Sequence, residues 1–181
     1  MSLAVVRRTY LALRDPALLR TAPDPGDPDL RVVRRAPCPV AEYRALYAAV
    51  GERWHWRDRL AWTDEALAAH LARASVRVHV LLERDAPIGY YELECHDDGS
   101  VEIVYFGLVP AAHGRGLGGW LLTHAAREAW ASGARVTWLH TCTLDGPHAL
   151  ANYFARGFVP FRDAEYVADL STPAAAAPAD G

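Results

Sequence analysis

Lysine is absent from this chain, and all 19 of its basic side chains are arginines. A P-loop needs a lysine to reach the phosphates and a Schiff base needs a lysine amine, so the sequence excludes both kinds of site. Cysteine is scarce as well, since Cys38, Cys95 and Cys142 stand alone without CxxC spacing. An odd number of isolated cysteines offers no disulfide framework and is typical of a reduced, cytoplasmic protein.

Long apolar runs are also missing. No stretch approaches the ~20 apolar residues that are needed to span a bilayer. The start of the chain, MSLAVVRRTYLALRDP, lacks the apolar core and cleavage pattern of a signal peptide. The formal net charge of −3 argues against general binding to nucleic acid or to a membrane surface. We therefore expect no targeting segment, no nucleic-acid partner and no membrane partner.

Apolar residues are plentiful, and their spacing predicts an ordered series of strands and helices. Alternation predicts strands over residues 3–13, 30–36, 76–83, 88–95, 101–109, 134–142 and 158–170. Helical spacing predicts helices over residues 40–50, 64–74, from the glycine segment to about 133, and 147–156. The resulting order, ββ-α-α-βββ-α-β-α-β, predicts an α/β protein with a mixed sheet and helices on its faces.

The chain divides into three parts by composition. Residues 1–29 are expected to form an N-terminal strand extension and a turn-rich link, and residues 30–170 the main domain. The tail at 171–181, STPAAAAPADG, has low complexity and is predicted to be disordered. A homodimer that forms by pairing of two edge strands is compatible with such a sheet.

Glycines are concentrated in VPAAHGRGLGGWLL, where a predicted strand meets a predicted helix. Gly114, Gly116 and Gly119 match GxGxxG, but a dinucleotide fingerprint belongs on the first strand and needs an acidic residue after the next one. The next strand ends in LHTC, so this interpretation fails. Exposed N–H groups at a helix start still favour an anion, and we expect a phosphate or pyrophosphate there.

The segment LVPAAHGRGLGG resembles motif A of the GNAT superfamily of N-acetyltransferases, in which Gln/Arg-x-x-Gly-x-Gly/Ala follows a strand and opens a helix. Gly116 and Gly118 occupy the glycine positions, and His113 stands where glutamine or arginine is usual. The resemblance covers about residues 30–170 and identifies this range as an N-acetyltransferase domain.

A later segment, ALANYFARGF, resembles the family helix A-x-x-x-Tyr-x-x-x-Gly-Phe. Ala149, Tyr153, Gly157 and Phe158 match that pattern, while Gly146 stands where an asparagine is usual. The two motifs occur in the family's order and spacing. Together they imply the GNAT fold: a central, mostly antiparallel, twisted sheet with a splayed pair of parallel strands, flanked by helices.

The resemblance implies acetyl-CoA as co-substrate. The residues that it assigns to the pyrophosphate are those of the glycine loop: His113, Gly114, Arg115, Gly116, Leu117, Gly118 and Gly119. The pantetheine arm would pair like an added strand with Gly107, Leu108 and Val109. A backbone N–H of that strand would polarise the thioester carbonyl.

Four residues are candidates for proton transfer. Tyr153 matches the family's helix tyrosine and would protonate the departing thiolate, unless it only packs against the cofactor or hydrogen-bonds it. Glu102 lies where the histone-acetylating branch of the family carries a glutamate, and it is the first candidate for the base. Glu92 is the alternative, working through water, unless Glu94 of the same strand faces the cleft in its place.

The segment RWHWRDRLAW at residues 53–62 connects the first two helices, where the family often forms its acceptor pocket. Trp54 and Trp56, with Tyr91 on a neighbouring strand, are the candidates for acceptor contact, since aromatic rings bind cations and other rings. Packing of the two helices against the sheet is the alternative interpretation. No spacing of histidines and cysteines predicts a metal site.

Two classes of function follow. The first is an N-acetyltransferase that moves an acetyl group from acetyl-CoA to an amine of a small molecule or peptide, by direct attack in a ternary complex. The second is a non-catalytic CoA-binding or regulatory domain with the same fold. An open channel to the thioester would favour the enzyme, and a blocked channel would favour the binding domain.

Overall fold

The alternating apolar segments form strands in the computed structural model, which describes residues 3–170. The strands are β1 (Leu3–Leu13), β2 (Leu30–Arg35), β3 (Val76–Glu83), β4 (Ala86–Cys95), β5 (Ser100–Leu108), β6 (Val136–Cys142) and β7 (Val159–Asp169). The helices are α1 (Val40–Gly51), α2 (Asp64–Leu71), α3 (Leu117–Ala131) and α4 (Ala149–Ala155). The predicted order of elements is confirmed, and the tail predicted to be disordered lies outside the described residues.

Local signals fix the starts of the helices better than their ends. Thr63 caps α2 by accepting a hydrogen bond from the N–H of Ala66 at 3.2 Å. The same helix ends at Leu71, before the predicted Ala74. A turn closed by the N–H of Val76 and the carbonyl of Arg73, 3.1 Å apart, uses those residues to begin β3.

The sheet has the order β2-β3-β4-β5-β6-β1-β7. Its pairings are antiparallel except for β5 with β6, which are parallel. That parallel pairing covers Ser100, Val101 and Glu102 against residues 136–138, after which the two strands separate. We call the gap between their carboxyl ends the wedge. The predicted fold class, a mostly antiparallel sheet with one splayed parallel pair, is confirmed.

The first strand is an integral part of this sheet. β1 pairs with β6 on one side and with β7 on the other, so residues 3–13 lie within the sheet and complete its second half. The predicted domain boundary between residues 29 and 30 stays a prediction.

Two clusters of buried side chains lie on opposite faces of the sheet. One cluster packs α3 and α4 against the sheet and includes Leu93, Leu121 and Leu139. The other packs α1 and α2 against β3 and β4 and includes Tyr43 and Leu67. Because neither helix pair covers the wedge, it stays open between them. Within residues 3–170, no helix has the length and apolar character needed to cross a membrane.

Candidate active site

The glycine loop opens α3 with backbone conformations that favour glycine. Gly114 and Gly116 have φ angles of 74° and 75°, and a Cβ added to either would meet no atom within 4 Å. The space before them is therefore open. Gly116 is the N-cap of α3, so the N–H groups of the helix's first turn have no intrahelical acceptor. This is the geometry of an anion site.

The next two glycines have a different role. A Cβ on Gly119 would lie 2.7 Å from Nη1 of Arg156, so this glycine makes room for an arginine and not for open solvent. The carbonyl oxygen of Gly118 accepts a hydrogen bond from Nδ2 of Asn152 at 3.2 Å. Sequence reasoning missed Asn152 and Arg156, which join α4 to the start of α3.

The other two side chains of the loop point to separate places. Nε2 of His113 donates to the carbonyl oxygen of Leu108 at 3.0 Å and ties the loop to the end of β5. Arg115 forms an ion pair with Glu83 of β3. His113 lines the cleft, whereas the side chain of Arg115 is engaged outside it.

Strand β5 presents one backbone edge to the wedge. The N–H of Val109 is already bonded to the carbonyl of Ile88 in β4 at 2.9 Å, so it is not free for a ligand. Successive N–H groups of a strand point in opposite directions, and the N–H of Leu108 therefore faces the wedge. Gly107 has no room for a side chain, because Val50 of α1 packs against its Cα.

A cleft of about 950 Å³ runs through the wedge from the glycine loop to the α1 side of the sheet. Its lining on the loop side includes Gly107, Leu108, His113, Gly114, Gly116, Leu117, Gly118, Gly119, Asn152 and Tyr153. On the opposite side it includes Arg8, Arg53, Trp54, Trp56, Asp58, Tyr105, His140, Asp145 and Tyr166. One continuous space thus connects the anion site with a polar and aromatic chamber.

Tyr153 lies in the wall of this cleft. It belongs to α4, is 7% exposed and contacts the ring of Phe106 with a centroid separation of 6.3 Å. Burial is the main cause that raises its pKa, and the charge of Asp145 adds to it. The phenol is therefore protonated at neutral pH, as a proton donor must be.

Glu102 lies next to the cleft and not in its wall. His140, which does line the cleft, separates it from the space, with Nε2 3.7 Å from Oε1 of Glu102. Burial raises the pKa of Glu102 to about 7, and the negative charges of Glu94 and Glu92 contribute. Burial, followed by the charge of Arg8, lowers the pKa of His140 to about 4, which keeps its imidazole neutral.

Glu92 is fully buried in a network of its own. It accepts hydrogen bonds from Tyr43 and from His70 at 2.8 Å, and Nη2 of Arg59 lies 3.3 Å away. Burial acts to raise the pKa of Glu92, but the His70 hydrogen bond and the Arg59 charge outweigh it and hold the pKa below its ordinary value. Glu92 is not among the cleft residues, and its placement favours a structural role.

The predicted acceptor residues separate into two groups. Trp54 and Trp56 line the cleft. Trp54 lies against Gly146, where a Cβ would be 3.2 Å from the indole, and Trp56 packs against Tyr105 with a centroid separation of 5.1 Å. Tyr91 points to the other face, where its hydroxyl bonds to Nδ1 of His124 at 2.8 Å. The structure does not bring Tyr91 to the cleft.

Two residues of the chamber lacked any clear sequence signal. His140 alternates with Cys142 along β6, which predicts a shared face but does not identify the neighbours of that face. Arg8 reaches the chamber because β1 pairs with β6 at Arg8 and Cys142. Within residues 3–170, no group of three histidines, cysteines or acids is arranged to hold a metal ion.

A mixed sheet with a wedge and a glycine loop at its mouth defines the fold class of the GNAT-type acetyltransferases. The model of the Acetyltransferase (GNAT) family matches residues 43–158. The chain therefore belongs to the GNAT acetyltransferase family, and acyl transfer is the activity of that family. A comparison with curated proteins gave no match.

Solved structures agree with this family assignment at the level of the fold. A GCN5-related N-acetyltransferase from Kribbella flavida is 19% identical with a TM-score of 0.64, and the alignment covers 94% of this chain and 61% of that one. The protein of the same description from Sphaerobacter thermophilus is 17% identical with a TM-score of 0.64, covering 90% and 50%.

A shorter relative is covered more completely. An aminoglycoside acetyltransferase from an uncultured soil metagenomic sample is 16% identical with a TM-score of 0.61, covering 72% of this chain and 88% of that one. The chain spans about half to two thirds of the two longer structures. At these identities the likeness shows the fold alone.

Proposed function

We propose that this protein is an N-acetyltransferase that moves the acetyl group of acetyl-CoA to an amine of a small molecule or peptide. The observation that carries the proposal is the continuous cleft. It joins an open anion site at Gly114 and Gly116 to a chamber that contains His140. Such a cleft accommodates a long co-substrate from one face of the sheet and an acceptor from the other.

The residues around the wedge fit acetyl-CoA. The N–H groups at the start of α3 would hold the pyrophosphate, and the open space before Gly114 and Gly116 admits its oxygens. The wedge-facing N–H of Leu108 would bind the pantetheine arm or the thioester oxygen. Since Val109 and Gly107 turn their N–H groups towards β4, the pairing that we propose centres on Leu108. Acetyl-CoA supplies the activated acyl group.

Proton transfer is assigned to the residues on the two sides of the wedge. The amine loses a proton as its nitrogen forms the new C–N bond, and we assign Glu102 as the base because burial raises its pKa to about 7. Because only His140 of this pair lines the cleft, the proton reaches Glu102 through the neutral His140 imidazole or a water. Tyr153 gives a proton to the sulfur as the C–S bond breaks.

The open cleft favours this enzyme over a non-catalytic CoA-binding domain. A domain that only binds CoA needs neither a channel to the opposite face nor a carboxylate with a raised pKa beside it. Homodimer formation through an edge strand and a cytoplasmic location stay predictions.

A screen of amine acceptors that follows release of the CoA thiol tests the proposal. We expect acetyl-CoA to raise the melting temperature, because a ligand of the folded state stabilises it by mass action, and we expect thiol release with a subset of amines. The Gly116→Val variant is the matched control. Its side chain enters the open anion site, and it should lose at least about tenfold in CoA affinity while staying folded. Binding of acetyl-CoA without turnover of any amine would support the CoA-binding domain instead.

The role of Tyr153 has its own test. Tyr153→Phe removes one hydroxyl and little volume, so acetyl-CoA should bind nearly as before while kcat at saturating co-substrate falls by roughly 10²-fold. Tyr166→Phe, which changes another tyrosine of the cleft, is the control. If excess acetyl-CoA restores the rate of Tyr153→Phe, the hydroxyl only helps to bind the co-substrate.

A further inference from the structure

We propose that Arg8 binds a carboxylate of the acceptor, so that the preferred substrate is an amine that also carries an acidic group. The inference rests on the proposed function and names the chemical class of its acceptor. It starts from an arginine that lines the chamber and that has no carboxylate within 4.0 Å in the described part of the chain.

Many of the other arginines are paired with an acid. Seven arginines have a carboxylate within 4.0 Å: Arg31, Arg35, Arg44, Arg59, Arg73, Arg84 and Arg115. Within residues 3–170, none lies that close to Arg8, although its side chain is partly buried. Its Nε is buried and lacks a hydrogen-bond partner. The Nε atoms of Arg59, Arg77 and Arg156 share this property, so it does not by itself identify a ligand site. A partly buried cation without a paired carboxylate is costly, and an anionic ligand group beside the guanidinium would offset that cost.

One acid of the chamber wall, Asp145, is already engaged. Oδ2 of Asp145 accepts hydrogen bonds from the Thr141 hydroxyl at 2.6 Å and from the N–H of Cys142 at 2.8 Å. These bonds hold the carboxylate in the turn after β6. The guanidinium of Arg8 instead lies over the ring of Tyr166, 5.0 Å from its centroid, and the hydroxyls of Tyr10 and Tyr166 are its polar partners. Neither partner is a carboxylate, so an acidic group of a ligand would meet a cation that has no acid of the described chain within 4.0 Å.

The position of Arg8 suits an acceptor and not the co-substrate phosphates. Strand pairing places Arg8 opposite Cys142 and Tyr10 opposite His140, so that Arg8 and His140 lie on the same sheet face, about two residues apart along neighbouring strands. The glycine loop belongs to α3, on the other face. An acceptor whose carboxylate binds Arg8 would therefore place its amine near His140.

The geometry of the guanidinium selects the anion. Its planar fork binds a carboxylate through two parallel hydrogen bonds, which fixes orientation as well as position. A carboxamide presents only one acceptor oxygen and no charge. Acceptors that differ only in this group therefore report on Arg8 directly.

The experiment compares L-amino acids with their carboxamides and with matched aminophosphonates in the thiol-release assay. We expect the wild-type protein to prefer the carboxylate by at least tenfold in kcat/KM. In Arg8→Gln this preference should disappear through a higher KM for the carboxylate. Because burial and the charge of Arg8 together lower the pKa of His140, absolute rates change as well, and the readout is the ratio of the carboxylate to the carboxamide rate within each protein. Arg53→Gln, which changes an exposed arginine that also lines the chamber, should keep the preference.

Binding of products makes the test independent of turnover. N-acetylglycine should raise the melting temperature of the wild-type protein more than N-acetylglycinamide does, and Arg8→Lys should retain only part of the difference. Equal use of carboxylates and carboxamides by the wild type, or a preference for phosphonates, would overturn the proposal. Thiol release only with amines that lack an acidic group would also overturn the proposal. The proposed acetyltransferase activity would still stand in that case.

Discussion

Two glutamates on the same face of the sheet have opposite surroundings. Glu92 of β4 is fully enclosed, yet its pKa is lowered because His70 and Arg59 hold its charge. Glu102 of β5 is 13% exposed at its side chain, yet burial raises its pKa to about 7. Its neighbours are two further acids, Glu94 and Glu92, and histidines more than 3.4 Å away.

The difference teaches that the partners of a buried carboxylate, more than its depth, decide its charge. A carboxylate with a hydrogen-bonded histidine and an arginine is stabilised as an anion and contributes to folding. A carboxylate that lacks such partners stays near the point of titration at neutral pH, where it can take up a proton and release it again. This difference supports the proposal that Glu102 acts as the base, whereas Glu92 is held by partners within the fold.

The largest effect is expected from Glu92→Gln. This change leaves Arg59 buried without its counter-charge, and breaking such a pair costs about 3 to 5 kcal/mol of unfolding free energy. The melting temperature should fall by roughly 6 to 20 °C. The melting temperature of Glu102→Gln, the matched control, should not fall in the same thermal unfolding measurement. Equal losses in the two variants would erase the distinction between the two glutamates.

Glu102→Gln should have its large effect on turnover. Without a base, kcat should fall by about 10²-fold at pH 8, which corresponds to about 2.7 kcal/mol of barrier. The variant should still bind acetyl-CoA with unchanged affinity, as measured by calorimetry. A variant that retained the wild-type kcat would remove Glu102 from the proton path.

The stability of Glu102→Gln should depend on pH less steeply than that of the wild type. Because the pKa of Glu102 is raised in the folded state, its contribution to stability is full below pH 4.5 and is lost as pH rises through about 7. The free energy of unfolding of the variant, relative to that of the wild type, should therefore rise by about 2.5 kcal/mol between pH 5 and 8. Denaturant unfolding at both pH values measures it. A constant difference would mean that Glu102 does not titrate in this range.

The smallest effect concerns the pH dependence of the rate. Since Glu102 must be ionised to act as a base, kcat/KM for a working acceptor should be about half its plateau at pH 7 and fall tenfold per unit below that. In Glu102→Gln the midpoint should move to the pKa of the acceptor amine. Acceptors whose amines differ in pKa distinguish titration of Glu102 from titration of the acceptor. A wild-type midpoint that changes with the pKa of the acceptor would argue against Glu102.

Much of the fold was predictable because local signals agreed with each other. The bounds of β1 and β3 match the alternation of their valines and leucines. The helix cap at Thr63 matches its hydrogen bond to Ala66. The prediction placed the end of α2 too late because its last predicted residues are compatible with a helix. The turn closed by Val76 and Arg73 is what ends the helix.

The candidate site was predictable only where it is local in sequence. Gly114 and Gly116 were found because a glycine loop and the helix after it are contiguous. Along β4, by contrast, both faces are buried, and alternation cannot tell which face meets the cleft. In the structure, Tyr91 points away from the cleft to His124, and Glu92 points to His70. The neighbours of Glu102 depend on how distant strands pair.

The short parallel seam has a mechanical consequence. Within residues 3–170, three residue pairs join β5 to β6, and every other strand pair has at least six. Resistance to bending between the two halves of the sheet is thus concentrated at the closed end of the gap. An extended ligand that hydrogen-bonds both edges would act as an internal brace and stiffen strands it never touches. Amide hydrogen exchange in β2 and β3, which contribute no residue to the cleft wall, would then slow when the gap is filled.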